Sequence, residues 1–295
     1  MKRVVVTGAT GYIGRNFINF LLKNKYHVYA IIRNDTYLWD GIPNVQKIKC
    51  PLDSISKLST VLSDSKIDLF YHFAWDGNSG LQRGNFSTQL LNVEYTCNVA
   101  MVAKQLGCER FISIGTITEN IAKENLDGVA TFSGFIYGLS KLHTHNLLDI
   151  ICKNIGLKYV WVQLSNIYGG DNSTGNLISY TLSELRAGRI PTYGPCNQPY
   201  NFTHIDDVIE ALHLIGTVEQ VEEKYVVSNG DVRLLHEYLE IIGKVYDKKL
   251  GIGERADDGI RINREWFSCE ALTRIGFQAK KDFEQEIRKS CKDEK

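Results

Sequence analysis

The chain has 295 residues, 43% of them hydrophobic, enough for a substantial core in one large domain or two small ones. Lys plus Arg and Asp plus Glu each number 34, so the formal net charge is zero and neither a nucleic-acid nor a membrane partner is expected. Seven scattered cysteines, with no CxxC pair, argue against a disulfide framework or structural zinc, and no metal site is expected. The start does not resemble a signal peptide and no apolar run reaches roughly 18 residues. A cytoplasmic protein is therefore expected.

In chain order the apolar pattern switches between strand and helix. Residues 4–6 are a β-branched run that ends in glycines, and residues 13–24 then show helical spacing. Residues 27–32, 45–50 and 68–73 read as the second, third and fourth strands. A long helix is expected over 89–106, stopped by Gly107, followed by a fifth strand over 110–114. A second long helix over 137–154 leads to a sixth strand over 157–164. Short apolar strands alternating with helices predict an α/β fold, with a doubly wound parallel sheet over residues 1–168. Beyond Tyr168 the pattern loosens. Residues 169–176 are a polar, glycine-rich loop, 225–227 are placed to rejoin the sheet, and 289–295 are a charged tail expected to fray. Residues 169–295 read as a smaller, partly interleaved substrate region.

The first strand runs into Gly8-Ala9-Thr10-Gly11-Tyr12-Ile13-Gly14. A strand, a glycine turn and a helix N-terminus together offer backbone N–H groups and a favourable dipole to a diphosphate. Gly8 allows the turn, Gly11 the approach of phosphate, and Gly14 close helix–sheet packing. Tyr12 and Ile13 open the helix beside the same site. The second strand ends in Ile31-Ile32-Arg33-Asn34 instead of the acid that bonds a ribose 2′-hydroxyl. Arg33 can pair with a 2′-phosphate, which favours NADP(H). Asp35, two residues on, leaves NAD(H) open.

Tyr137 and Lys141 are four apart and share a helix face. A free tyrosine has a pKa of about 10. A nearby ammonium favours the phenolate and lowers that value, giving a proton donor and acceptor usable near neutral pH. Alone, the spacing also fits a surface tyrosine with a solvated lysine. Thr116, at the end of the fifth strand, offers a hydroxyl to the same substrate oxygen.

Together these residues resemble the extended short-chain dehydrogenase/reductase superfamily, and within it the nucleotide-sugar epimerase, dehydratase and reductase group. The likeness covers most of the chain. It rests on the glycine turn, Asp53, His72-Phe73-Ala74, Asn92, Thr116, Tyr137, Lys141, Asn166-Ile167-Tyr168-Gly169 and the stretch over 202–208. The resemblance implies a Rossmann-type fold, a nucleotide-sugar substrate, and a homodimer through the two long helices. It implies that Asp53 binds the adenine, that Phe73, Ala74 and Trp75 pass beside the cofactor, and that Lys141 holds the ribose. Asn166 is implied to meet the substrate diphosphate or sugar, and Thr118 and Tyr200 are further candidate substrate contacts. Asp207 reads as the cap of a helix beginning near Val208. His143 and His145 lack partners at metal-ligand spacing and read as non-ligands.

Departures from the family pattern narrow the chemistry. Family dehydratases carry Thr-Asp-Glu where this chain has Thr116-Ile117-Thr118. Ile117 cannot protonate a leaving hydroxyl and Thr118 cannot efficiently take a carbon-bound proton, which argues against dehydration. Glu119 is one place late. Tyr200-Asn201 stands where an Arg-Asp pair is frequent, and Gln163 where an arginine is usual. Arg186, Arg189, Arg233, Arg255 and Arg261 are candidates for the missing phosphate contact. The resulting expectation is an NADPH-dependent reductase of a keto group, at C4, on a nucleotide-activated deoxysugar. A C4 epimerase with retained NAD is the rival, and a non-catalytic dinucleotide sensor the third reading.

Overall fold

The computed structural model describes residues 1–126, 134–170 and 176–292. Most of the glycine-rich loop expected over 169–176 lies outside the described residues. The strands are β1 (Arg3–Thr7), β2 (His27–Ile32), β3 (Val45–Lys49), β4 (Leu69–His72), β5 (Arg110–Thr116), β6 (Tyr159–Leu164), β7 (Asn166–Tyr168), β8 (Pro199–Tyr200), β9 (Phe202–His204), β10 (Lys224–Val227) and β11 (Arg233–Leu234). The helices are α1 (Tyr12–Lys23), α2 (Leu58–Val61), α3 (Phe86–Gln105), α4 (Thr118–Glu124), α5 (Gly134–Ile155), α6 (Leu177–Arg186), α7 (Ile205–Thr217), α8 (Leu235–Tyr246), α9 (Glu270–Arg274) and α10 (Phe283–Lys292).

Seven strands form one parallel sheet in the order β10-β6-β5-β4-β1-β2-β3. This is the doubly wound arrangement, and β10 rejoins the sheet beside β6, as the sequence predicts. Both faces are covered, which explains why the strands are apolar throughout instead of alternating. Val4 and Val6 pack with Phe17 and Ile18 of α1 and Leu212 of α7 on one face. Val5, between them, points to the other face, with Val99 of α3 and Leu148 of α5.

The strand order reverses between β1 and β4. In open parallel sheets this switch point, at the carboxyl edge, is where ligands bind. The glycine turn follows β1, and Phe73, Ala74 and Trp75 follow β4, so the fold brings both to the switch.

Residues after Tyr168 add a third apolar cluster. Its aromatic centre sets Phe202 edge-to-face with Tyr238 (centroids 5.1 Å apart) and Tyr238 edge-to-face with Phe283 (4.8 Å). Two short two-stranded pieces, β8 with β11 and β7 with β9, bracket it.

Several boundaries differ from expectation for local reasons. Helix α3 begins at Phe86 because the Asn85 side chain caps it, accepting from Thr88 N at 3.1 Å. Helix α7 begins at Ile205, capped by the His204 ring, so Asp207 is not the cap. The buried Asp207 carboxylate instead accepts from Lys280 N (2.9 Å) and Lys281 N (3.2 Å), tying a segment more than seventy residues away to α7. The tail expected to fray from residue 289 is helical to Lys292. Among the described residues no helix is long and apolar enough to cross a membrane.

Candidate active site

A cleft of about 520 Å³ opens along the carboxyl edge of the sheet. Gly8, Gly11, Tyr12, Ile13 and Gly14 form one wall, Thr116, Thr118 and Tyr137 the centre, and Asn166 and Tyr200 the far side. Residues far apart in the chain are thereby brought together as the sequence predicts.

The glycine wall is built by sterics. Gly8 has φ +67°, and a Cβ there would lie 2.6 Å from Ala74 N. At Gly14 a Cβ would lie 2.2 Å from the Gly8 carbonyl oxygen, so glycine lets the first turn of α1 close onto the loop itself. The expected role of Gly14 in helix–sheet packing is thus a contact between helix and turn. Gly11 caps α1, whose first turn carries no acidic side chain. Its amino end is therefore free of internal carboxylates and favours an anion. The cradle fits the diphosphate of a dinucleotide.

Tyr137 is carried to the centre because α5 approaches α4 very closely. A Cβ at Gly138 would sit 2.4 Å from the Thr118 carbonyl oxygen. The half-buried Tyr137 lines the cleft beside Thr116, whose side chain favours the phenolate. The Thr116 hydroxyl also donates to Thr118 Oγ1 at 3.1 Å. Burial pushes the Tyr137 phenol up to about 12; the nearby Arg83 guanidinium opposes this, Glu119 adds to it, and the Thr116 side chain opposes it.

Here the structure corrects the expected electrostatics. Lys141 is not the cation that pulls the Tyr137 phenol down. Its ammonium is buried behind the cleft, donates to the Ile114 carbonyl at 2.7 Å, and lies 3.7 Å from the centroid of the Trp75 ring. Burial depresses the Lys141 ammonium well below the ordinary lysine value, and the Glu119 carboxylate works against that depression.

Arg83 is a cleft residue that the sequence reading missed. It sits on a single 3-10 turn, Gly80–Gly84, between β4 and α3. Its guanidinium donates to Thr118 Oγ1 at 3.0 Å, and its Cζ lies 4.6 Å from the Tyr137 ring centroid. Burial lowers its pKa, while Tyr137 and Tyr200 raise it. None of the five arginines proposed for the phosphate contact lines this cleft; among the described residues Arg83 is the arginine that does. A lone arginine in a segment without periodicity carries no sequence signal beyond its charge.

The other predicted residues are placed as follows. Tyr200 donates to Asn166 Oδ1 at 2.9 Å, which joins the two substrate-side candidates. Trp75 is buried, donates to Gln89 Oε1 at 2.8 Å, and meets the Tyr137 ring edge-on at 6.1 Å. Phe73 lines the cleft, and Ala74 lies against the glycine turn. Asp53 is exposed at the start of Leu52–Lys57, outside the cleft, and accepts from Ser54 Oγ. Arg33 is exposed at the end of β2 and pairs with Asp76 at 2.8 Å. Asn92 holds the loop carrying Asp76 through both backbone groups of that residue, at 2.9 and 2.8 Å. Among the described residues no group of three or more His, Cys, Asp or Glu side chains is placed to hold a metal ion.

The residues at the dehydratase acid positions do not present an acid to the cleft. Ile117 is buried and Thr118 is engaged by Arg83. Glu119 is fully buried behind them, and among the described residues no carboxylate lines the cleft. The arrangement can move a proton through Tyr137 and Thr116 to or from an oxygen in the cleft.

Comparison with known proteins agrees with this geometry. The profile of the NAD dependent epimerase/dehydratase family matches residues 4–228. The chain belongs to this family. It is accordingly a nicotinamide-dinucleotide-dependent enzyme of the extended short-chain dehydrogenase/reductase superfamily. It is similar to the CDP-abequose synthase of Yersinia pseudotuberculosis, with 25% identity over 85% of this chain and 87% of that one. It is also similar to a Streptomyces dTDP-4-dehydro-6-deoxy-D-allose reductase, with 25% identity over 73% of each chain. Among solved structures, the UDP-glucose 4-epimerase of Thermotoga maritima superimposes with a TM-score of 0.79 at 17% identity, over 97% of this chain and 96% of that one. At that identity the match speaks to the fold.

Proposed function

We propose that this enzyme is an NADPH-dependent reductase of the C4 keto group of a nucleotide-activated deoxysugar. The observation that carries the reading is the Thr116–Tyr137 pair facing a cleft with no carboxylate among its described lining residues. That set suits proton donation to a carbonyl oxygen and lacks the acid and base that dehydration needs. Similarity to a 4-dehydro-deoxysugar reductase supports the substrate class.

The dinucleotide, held on the glycine wall, would supply the hydride. Tyr137 delivers a proton to the oxygen as the carbonyl becomes an alcohol. Thr116 accepts or donates at the same oxygen and fixes the phenol. Lys141 holds the nicotinamide-side ribose, and Arg83 offsets negative charge as it develops near Tyr137. Arg33 takes the 2′-phosphate by exchanging its surface pair with Asp76, a contact worth little in water. Asp53 bonds the adenine. Asn166, Tyr200 and Thr118 contact the nucleotide sugar, and residues 169–295 form the substrate region.

The second reading is a C4 epimerase that retains NAD. Similarity in fold to a UDP-glucose 4-epimerase is what supports it. Dinucleotide released by denaturing the purified protein separates the two readings. Stoichiometric NAD supports the epimerase; an empty protein that oxidises added NADPH with a 4-keto-6-deoxysugar nucleotide supports the reductase.

We also propose a homodimer through α3 and α5, whose exposed Phe86, Leu90, Met101 and Ile150 form apolar surface. Sedimentation should give twice the chain mass. The seven free cysteines support a reducing, cytoplasmic setting.

A further inference from the structure

We infer that Arg83 is a specificity-determining residue: it reads the sugar hydroxyl at C3, on the carbon beside the ketone, and selects substrates that retain it. The inference rests on the reductase reading above, in which Tyr137 and Thr116 address the oxygen at C4.

The segment that delivers Arg83 is held in place along its length. It joins the end of β4 to the start of α3, and two buried amide side chains of α3 fix its backbone. Asn92 bonds both backbone groups of Asp76. Gln89 is 0% exposed, and its amide donates to the Gly77 carbonyl at 2.9 Å and to the Gln82 carbonyl at 3.2 Å. The Gln89 oxygen accepts from Trp75 Nε1. The Gln82 carbonyl also accepts from Asn85 N at 3.1 Å, which ties the turn to the cap of α3. Gly77 takes φ +66°, and a Cβ there would lie 3.0 Å from the Gln82 carbonyl oxygen. A side chain on so fixed a backbone recognises a ligand at low ordering cost.

The same turn sorts its side chains against the usual rule. Leu81 is 88% exposed, whereas Asn78, Ser79, Gly80 and Arg83 line the cleft. An apolar side chain is turned out and a guanidinium is turned in, the reverse of what burial alone selects.

The guanidinium is set beside the reacting atoms. Its Cζ lies 4.6 Å from the Tyr137 ring centroid. Its Nη2 donates to Thr118 Oγ1 at 3.0 Å, and that oxygen also accepts from the Thr116 hydroxyl at 3.1 Å. Thr118 therefore joins Arg83 to the hydroxyl proposed to meet the C4 oxygen. A guanidinium carries five N–H donors in a planar fork, so it can hold Thr118 and a sugar oxygen together.

The carbons flanking C4 differ in a 6-deoxyhexose. C5 carries an apolar methyl group, and C3 carries a hydroxyl. Turning the methyl group toward Arg83 would desolvate a cation against a group that accepts no hydrogen bond, which is costly. The C3 hydroxyl instead accepts a charge-assisted hydrogen bond. A substrate without that hydroxyl leaves the site's donor unmet, which is how a polar site rejects an analogue that lacks its partner.

The test pairs two substrates with two full-length enzymes. The substrates are a nucleotide-linked 4-keto-6-deoxysugar that carries its C3 hydroxyl and the same compound without it. Arg83→Met keeps a side chain of similar reach against Tyr137 and removes every donor. Wild type should favour the hydroxylated substrate by about 10–100-fold in kcat/KM, the range of one hydrogen bond to a charged group. In Arg83→Met that ratio should fall close to one. An unchanged ratio, with both substrates slowed equally, would overturn the inference and leave Arg83 to its charge alone. Calorimetry with the nucleoside diphosphate by itself adds a readout without turnover. Arg83→Met should leave that affinity unaltered; a loss as large as the one in kcat/KM would overturn the inference and assign Arg83 to the diphosphate. If Arg83→Met does not fold, Arg83→Gln carries the test: a smaller fall in the ratio is expected, and none overturns it. If the reductase reading itself fails, wild type turns over neither substrate. Binding of the corresponding 4-hydroxy nucleotide sugars, with and without the C3 hydroxyl, then decides: a preference abolished by Arg83→Met supports the inference, and equal binding to wild type overturns it.

Discussion

The glycine wall and the substrate wall of the cleft are held by different means. On the glycine side the backbone does the work: Gly8 and Gly14 are packed so closely that a single added carbon would collide with main-chain atoms. On the far side the frame is made of side-chain hydrogen bonds between distant residues. Fully buried Asn201 donates to the Asp231 carbonyl at 2.8 Å and accepts from Thr203 at 2.9 Å, and Tyr200 reaches Asn166. Backbone-built walls recognise what is common to all dinucleotides. Side-chain-built walls can be retuned one residue at a time, which suits the substrate region proposed there.

The largest expected effect lies between the two walls. Tyr137→Phe removes the proton donor while keeping the ring against Trp75, and kcat should fall by about 10²–10⁴-fold. Nucleotide-sugar affinity, measured by calorimetry, should stay within a few fold. Loss of affinity instead would move Tyr137 into the substrate wall.

Next comes damage to the backbone wall. Gly14→Ala should destabilise the protein by about 1–3 kcal/mol through overpacking, seen as a lower Tm, and should also abolish dinucleotide binding. An unchanged Tm would show that α1 can slide and that the wall is less rigid than its contacts imply.

Arg33→Ala probes the edge of the same wall. It should weaken NADPH by roughly tenfold, about 1.4 kcal/mol, and leave NADH unaffected. Equal loss of both would mean that Arg33 acts only through Asp76.

The smallest effect belongs to the substrate wall. Tyr200→Phe loses one hydrogen bond to Asn166, about 1 kcal/mol. It should raise KM for the nucleotide sugar a few fold and leave dinucleotide binding alone. An equal change in dinucleotide binding would erase the distinction between the walls.

The same contrast explains what could be read from the sequence. Strands β1 to β6, the two long helices and the rejoining of β10 were legible because burial on both sheet faces imposes a local apolar pattern. Gly8 was legible because the turn takes a positive φ, and Thr116 and Tyr137, read from a strand end and a helix spacing, both line the cleft. Arg83, Asp207 and Glu119 were not. Each works through partners that only the folded chain brings close: Arg83 above Tyr137, Asp207 on the Lys280 and Lys281 amides, and Glu119 under Thr116. The pull on the tyrosine phenol was misread for the same reason. Spacing places Lys141 on the helix face of Tyr137, but burial turns its ammonium onto Ile114 and leaves Arg83 beside the phenol.

The most direct test of keto reduction is isotope transfer. The enzyme is incubated with NADPH deuterated at the transferable position and a nucleotide-linked 4-keto-6-deoxysugar, and the sugar product is examined by NMR. The account predicts one deuterium at C4 of the product for each NADPH consumed, with product accumulating about 10²–10⁴-fold more slowly in Tyr137→Phe. No NADPH consumed and no deuterium in the sugar, with a parallel nucleotide sugar that carries a C4 hydroxyl inverted at C4 without added dinucleotide, would contradict it and assign the site to epimerisation.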